Sequence, residues 1–331
     1  MNVFKEEMSM QDKIEIIGTN STIQHGELNK RIYLIKLDEQ DVGSITSMLT
    51  LLAREREYSK IFCKVPAWAA PVFNADGFIM EAFIPGFFSG TEGVCFMSKY
   101  LNSDRLLGIE NQALMEFSRV LRTYTTSGGV KAKSSDGKVK TFREKMAVAA
   151  DAREGEQVLA TEHSGFRKSG YDRGKNLEDP GVIALGEKDV DAITEVYKMV
   201  FRSYPFPIHD PNYIRKTMRD HIRYFGIRDG GALVALSSAE MDPAAKNAEM
   251  TDFATLPQAR GRGTAYHLLR AMEQEMKTQG IKTLYTIARL NSLPMNKTFL
   301  KHGYAYSGTL INNTNIAGNI ESMNVLYKHV N

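Results

Sequence analysis

Between a strand-like block and a helical block lies Gln258-x-x-Gly261-x-Gly263, the stretch that most narrows what this chain can fold into. Residues 249–255 are short, include Thr251 and Phe253, and stop at Pro257, the pattern of a strand. Residues 264–277 put Leu268, Leu269, Met272 and Met276 on one face at helical spacing and end at Gly280. Two glycines at a strand-to-helix turn let the backbone come close to a ligand, and the helix start offers unpaired N–H groups at its positive end. That is the chemistry of a phosphate seat, to which Arg260 and Arg262 add charge. The plain alternative is a surface turn with two exposed arginines. Other phosphate motifs fit worse, because no P-loop lysine stands after the glycines and there is no third glycine for a dinucleotide fingerprint.

The residues downstream of the turn shift the balance. Residues 281–288 read as a strand, and 291–300 as a short helix ending before Gly303-Tyr304. Strand, Q-x-x-G-x-G, helix, strand, Asn-containing helix and Gly-aromatic pair together resemble the core of the GCN5-related N-acetyltransferases (GNAT). Longer words, in one order, sharpen this: Tyr204-Pro-Phe-Pro-Ile208, Ala248-Glu-Met-Thr-Asp-Phe-Ala-Thr255, Tyr285-Thr-Ile-Ala-Arg289 and Glu321-Ser-Met-Asn-Val325. They resemble the β-lysine N6-acetyltransferases, which make the compatible solute Nε-acetyl-β-lysine. Tyr58-Ser-Lys-Ile-Phe-Cys-Lys-Val-Pro66 and Glu81-Ala-Phe-Ile-Pro-Gly86 extend the likeness to the N-terminal half, so it covers most of the chain.

The resemblance implies an α+β chain with the GCN5-related N-acetyltransferase fold, a mixed, mostly antiparallel sheet flanked by helices. It implies acetyl-CoA as co-substrate, held by Phe253, Ala254, Thr255, Gln258, Ala259, Arg260, Gly261, Arg262, Gly263 and Thr264, with Asn291, Asn296 and Phe299 along the pantetheine arm. Helix packing would explain Phe299 nearly as well. Acetyl transfer needs a neutral amine, so a carboxylate must take the ammonium's proton. Glu249 stands where several relatives keep that base. Asp252, by strand alternation, is expected on the opposite face, as an ammonium partner or a brace. Each of the two also reads as an ion-pair partner. Many relatives place a tyrosine acid four residues before the Gly-aromatic pair; Phe299 stands there, leaving Tyr285 or Tyr304, or no protein acid at all. Tyr285, Arg289 and Glu321 complete the expected substrate set. Arg289 suits a carboxylate grip or a salt bridge, and Glu321 an ammonium or an arginine.

The N-terminal half repeats the order of the C-terminal one. A helix leads to a strand, a short helix and Gly77-Phe78, with Phe73 four residues before the glycine as Phe299 is before Gly303. It lacks the phosphate turn, and Asp41-Val-Gly43 stands in its place. The expected organisation is therefore a degenerate acetyltransferase-like accessory domain over 1–125, a polar linker over 126–180 and a catalytic domain over 181–331. Within 126–180, acidic residues are interleaved with basic ones, which favours a solvated linker over a nucleic-acid or membrane patch.

A net charge of +3 is too mild to demand nucleic acid. No apolar run approaches membrane-spanning length, and residues 1–12 have no apolar core of a signal peptide. Cys63 and Cys95 read as buried thiols, in keeping with a cytoplasmic location. The seven histidines show no metal-ligand spacing. The expected partner is a small-molecule amine; a homodimer stays open. Rival readings are a polyamine, α-lysine or protein acetyltransferase, and a non-catalytic acyl-CoA sensor.

Overall fold

The computed structural model describes residues 12–125, 181–202, 204–316 and 318–330. The expected linker lies outside the described residues. The chain before Thr125 and the chain from Asp179 onward belong to one compact unit.

Six strands form a first sheet: β1 (Lys13–Ile17), β2 (Ser21–Gly26), β3 (Arg31–Lys36), β4 (Lys60–Pro66), β5 (Ile79–Phe88) and β6 (Glu92–Tyr100). Their order is β1-β2-β3-β4-β6-β5, parallel at β3–β4 and antiparallel elsewhere. Helix α1 (Ile45–Glu55) connects β3 to β4, and α2 (Ala70–Ala75) lies between β4 and β5. Ile45, Leu49 and Ala53 of α1 and Phe73 of α2 are buried against Ile32, Ile61, Cys63 and Val65 of the sheet. Alternation sends Phe62 and Lys64 to its other face. Residues 21–26 form a strand whose start Asp41 holds: its carboxylate accepts from Ser21 Oγ at 2.6 Å and from the Thr19 N–H at 2.8 Å. The turn that corresponds to the phosphate seat is thus engaged by the protein's own backbone.

After α3 (Ser103–Leu107) and α4 (Asn111–Thr125), the described chain resumes with β7 (Ile183–Leu185), α5 (Val190–Val200) and α6 (Pro211–Asp220). Asp210 caps α6 by accepting the Asn212 N–H at 2.9 Å, with Pro211 in the first turn. Next come β8 (Ile222–Asp229), β9 (Ala232–Asp242), β10 (Asn247–Thr255), α7 (Thr264–Thr278), β11 (Thr283–Arg289), α8 (Leu293–Lys301), β12 (Ala305–Ile316) and β13 (Asn319–His329). This sheet runs β7-β8-β9-β10-β11-β13-β12, parallel at β10–β11. From β8 onward its order and its parallel step reproduce those of the first sheet. The Phe-x3-Gly-aromatic likeness also holds in space. Phe73 meets Phe78 and Phe299 meets Tyr304, each edge to face, and Gly77 and Gly303 both take positive φ.

One face of the second sheet packs on α7 and α8 through Ala248, Met250, Leu284 and Leu326. The other face is shared. Over β8–β10 it meets α5 and α6, while over β11–β13 it meets the first sheet in a cluster with Phe62, Phe87, Phe96, Tyr285, Met323 and Val325. Full burial of such side chains contributes about 1.5–3 kcal/mol each. The sheet edges also touch: Ser307 Oγ donates to Phe83 O at 2.6 Å and accepts the Phe83 N–H at 2.9 Å. A Cβ on Gly308 would lie 2.0 Å from Glu81 O, so only glycine permits that approach.

Candidate active site

Where α5–α6 gives way to the first sheet, a row of ionisable groups faces the seam. Glu249 of β10 is opposite Glu240 of β9 and Tyr285 of β11. Protein surrounds it, yet the residue is half-buried and keeps some contact with solvent. Burial, together with the Glu240 charge, pushes its pKa up to about 8, against the opposing pull of Lys64 and a hydrogen bond from Tyr285.

Asp252 does not obey simple alternation. The β9–β10 register shifts between Thr251 and Ala254, and Asp252 takes φ +55°. This bulge puts an extra residue into β10 and reverses its parity. Asp252 therefore shares the face of Glu249, where Ser238 Oγ (2.6 Å) and the Tyr204 hydroxyl donate to it. Burial raises its pKa, against those hydrogen bonds. Tyr204 comes from the Pro-rich loop before α6.

Two more groups complete the cluster. His221, just after α6, lies 3.6 Å from Glu240 and has a raised pKa because that carboxylate bonds it. Burial pushes Glu240 upward, but His221 and Lys64 outweigh it and lower its pKa. Lys64 arrives from β4, with Nζ 3.4 Å from the Tyr285 hydroxyl and over the rings of Phe87 and Tyr285. Burial disfavours its charge, yet Tyr33, Glu249, Glu240 and Asp242 hold its pKa above the ordinary lysine value. The sequence pattern did not single out Lys64, Glu240 or Tyr204 as site residues. A lysine on the aromatic face of an otherwise apolar strand was the available signal for the first.

The expected cofactor region is nearby in the fold. β10 and β11 pair only through Glu249 and Tyr285, after which β10 stays with β9 and β11 with β13. The β11-facing edge of β10, through Phe253, Ala254 and Thr255, is left open. Gln258 and Ala259 form a single helical turn, then Gly261 and Gly263 adopt φ +78° and +73° before α7. Among the described residues, the backbone N–H groups of Gly261, Arg262, Gly263, Thr264 and Ala265 have no acceptor in the protein. These donors, with the helix dipole, fit a pyrophosphate. Arg260 turns back to Thr255 O (3.2 Å), and Arg262 reaches Asp229 (3.1 Å). Thr264 Oγ1 lies 3.3 Å from that of Thr255.

Other expected residues have partners within the protein. Arg289 and Glu321 grip each other through two hydrogen bonds, Nε–Oε2 at 2.7 Å and Nη2–Oε1 at 2.5 Å. Asn291 donates to Glu110, and buried Asn296 donates to Arg289 O and Ser292 O. Phe299 is buried edge to face against Phe253 and Tyr304. Of the two tyrosines weighed as acids, Tyr285 is on the Glu249 face; Tyr304 is in the α7–α8 core, near Glu273. Among the described residues no cluster of three His, Cys, Asp or Glu side chains is arranged to hold a metal ion, and no helix is long and apolar enough to cross a membrane.

Residues 193–304 match the model of the Acetyltransferase (GNAT) family. A β-lysine N6-acetyltransferase from Methanococcus maripaludis is 36% identical over 320 residues, covering 96% of this chain and 99% of the relative. N-acetyltransferase YodP from Bacillus subtilis is 28% identical, covering 97% and 100%. A β-lysine N6-acetyltransferase from Methanosarcina mazei is 40% identical over 139 residues, 42% of this chain and 51% of the relative.

Proposed function

The chain belongs to the β-lysine N6-acetyltransferase family of acetyl-CoA-dependent GNAT enzymes, and on that premise we propose that its amine substrate is β-lysine and its product Nε-acetyl-β-lysine. The observation that carries this reading is the half-buried acidic cluster, which we read as the recess for the amine. Glu240, Glu249 and Asp252 offer carboxylates to a ligand with two ammonium groups, and Lys64 stands beside them.

Acetyl-CoA supplies the thioester carbonyl. The free amides of Gly261 to Ala265 take its pyrophosphate, and the open edge of β10 from Phe253 to Thr255 lies along its acyl arm. Glu249 is the base. An ammonium arriving beside it favours the carboxylate form, which takes the ε-ammonium proton; the neutral amine nitrogen then attacks the thioester carbonyl, and the C–S bond breaks to release CoA, its thiolate taking up the second nitrogen proton. A base with a pKa near the working pH suits that exchange. Asp252 and Glu240 orient the ammonium groups. Phe299 leaves the usual tyrosine position without a proton donor, and no acid is assigned to the thiolate. Transfer is direct, in a ternary complex. In the cell, the product serves as a compatible solute made in the cytoplasm under salt stress, a role that rests on the family resemblance.

The test is CoA thiol release with β-lysine, α-lysine, spermidine or no amine, using wild type and Glu249→Gln. Strongest turnover on β-lysine, lost in the variant, is expected. A preference for spermidine overturns the substrate and the osmolyte role, leaving the transferase. Retained turnover in Glu249→Gln removes it as base.

A further inference from the structure

We propose that Lys64, contributed by the N-terminal sheet, receives the carboxylate of the amino-acid substrate and makes the recess select a diamino acid over a plain diamine; this rests on the substrate reading above. Arg289, the residue type best suited to such a grip, is already held twice by Glu321. Arg31 donates to Asn313 O and Thr314. Lys60, on the same face of β4 as Lys64, is enclosed by Glu81 (3.0 Å), the Tyr100 hydroxyl (3.1 Å) and Ile311 O (2.8 Å).

Lys64 differs from these. Among the described residues no carboxylate lies within ion-pair distance of its ammonium, which has one long contact to Tyr285 and two ring faces. An ammonium has three donors. A partly enclosed cation with donors unused favours an anionic ligand, and a charge-assisted bond is its strongest complement. The charged and titratable groups around it come from Tyr33 on β3, Glu240 and Asp242 on β9, Glu249 on β10, Tyr285 on β11, and His221 beyond Glu240. The recess thus presents several acids and, among the described residues, a lysine without an ion-pair partner, the complement of two ammonium groups and one carboxylate. A diamine brings no anion to Lys64 and leaves its spare donors without an acceptor.

The experiment compares kcat and KM for β-lysine and 1,4-diaminopentane, which is β-lysine without its carboxylate, in wild type, Lys64→Met and Lys64→Arg. Unchanged acetyl-CoA binding and thermal midpoint establish that each variant is folded. The expected result is a KM for β-lysine raised roughly tenfold or more relative to the KM for the diamine in Lys64→Met, and recovery in Lys64→Arg, while the lost charge displaces the pH profile of Lys64→Met alike on both substrates. An equal rise in KM on both substrates overturns the proposal and makes Lys64 a neighbour of the base only. So does an unchanged KM. If wild type uses α-lysine and not β-lysine, the substrate reading alone fails, and the same comparison is made with α-lysine and cadaverine. Preference for 1,4-diaminopentane over both amino acids sinks the two together.

Discussion

Glu249 holds its proton more tightly folded than unfolded, and that sign sets the direction of two measurements. As the proposed base it must be ionised, so kcat/KM should rise with pH through about 8. Glu249→Gln should remove that break and lower kcat by about 10²–10⁴-fold. Stability moves the other way. Between its ordinary value of 4.5 and about 8 the folded state binds more protons, so the contribution is full below that window and lost as pH rises through it. Urea midpoints at about pH 5 and pH 8.5 should therefore differ less in Glu249→Gln than in wild type. Gly261→Ala places a Cβ in open space but in a left-handed backbone, costing about 1–2 kcal/mol. Its acetyl-CoA affinity should fall, as titration calorimetry would show. Both residues were legible in the sequence because each belongs to a local pattern. The pKa of Glu249 was not, since Glu240, Lys64 and Tyr285 come from three other strands.

The decisive element is the bulge in β10. Alternation alone sends Asp252 away from Glu249; one extra residue brings it back. Ser238 and Tyr204 hold the carboxylate there, against a left-handed backbone that disfavours a side chain. Asp252→Gly should relieve the backbone while losing the hydrogen bonds, and Asp252→Ala should lose the bonds and keep the strain. Denaturant midpoints should then rank wild type, Gly, Ala, with Ala down by about 2 kcal/mol. An inverted order for the two variants would dismiss the strain argument. The helices were readable from periodicity, and α6 from Asp210-Pro211. The strand over 21–26 was not, because its start is fixed by Asp41, about two elements away in the chain.

Across the described residues, two sheets of like topology meet face to face and edge to edge, and the acidic cluster lies beside their seam. Gly308→Ala would drive a methyl into Glu81 O, which belongs to backbone and cannot turn aside. It should cost about 1–3 kcal/mol, seen as a lower thermal midpoint. It should also raise KM for the amine more than Kd for acetyl-CoA, because Lys64 comes from one sheet and the 257–264 turn from the other. Equal effects on both ligands would count against a site shared between the sheets. The sequence by itself determined the glycine turn, the strand-to-helix order around it, the family and the strand that carries Glu249. Those features depend on φ, proline, capping and side-chain period, all local properties. Only the tertiary structure decided that Asp252 joins Glu249, that Arg289 and Glu321 neutralise each other, and that Lys64 brings its ammonium beside Tyr285. Lys64 and Tyr285 are 221 residues apart. Contacts at such separation are set by how the two sheets pack, and no local pattern encodes them.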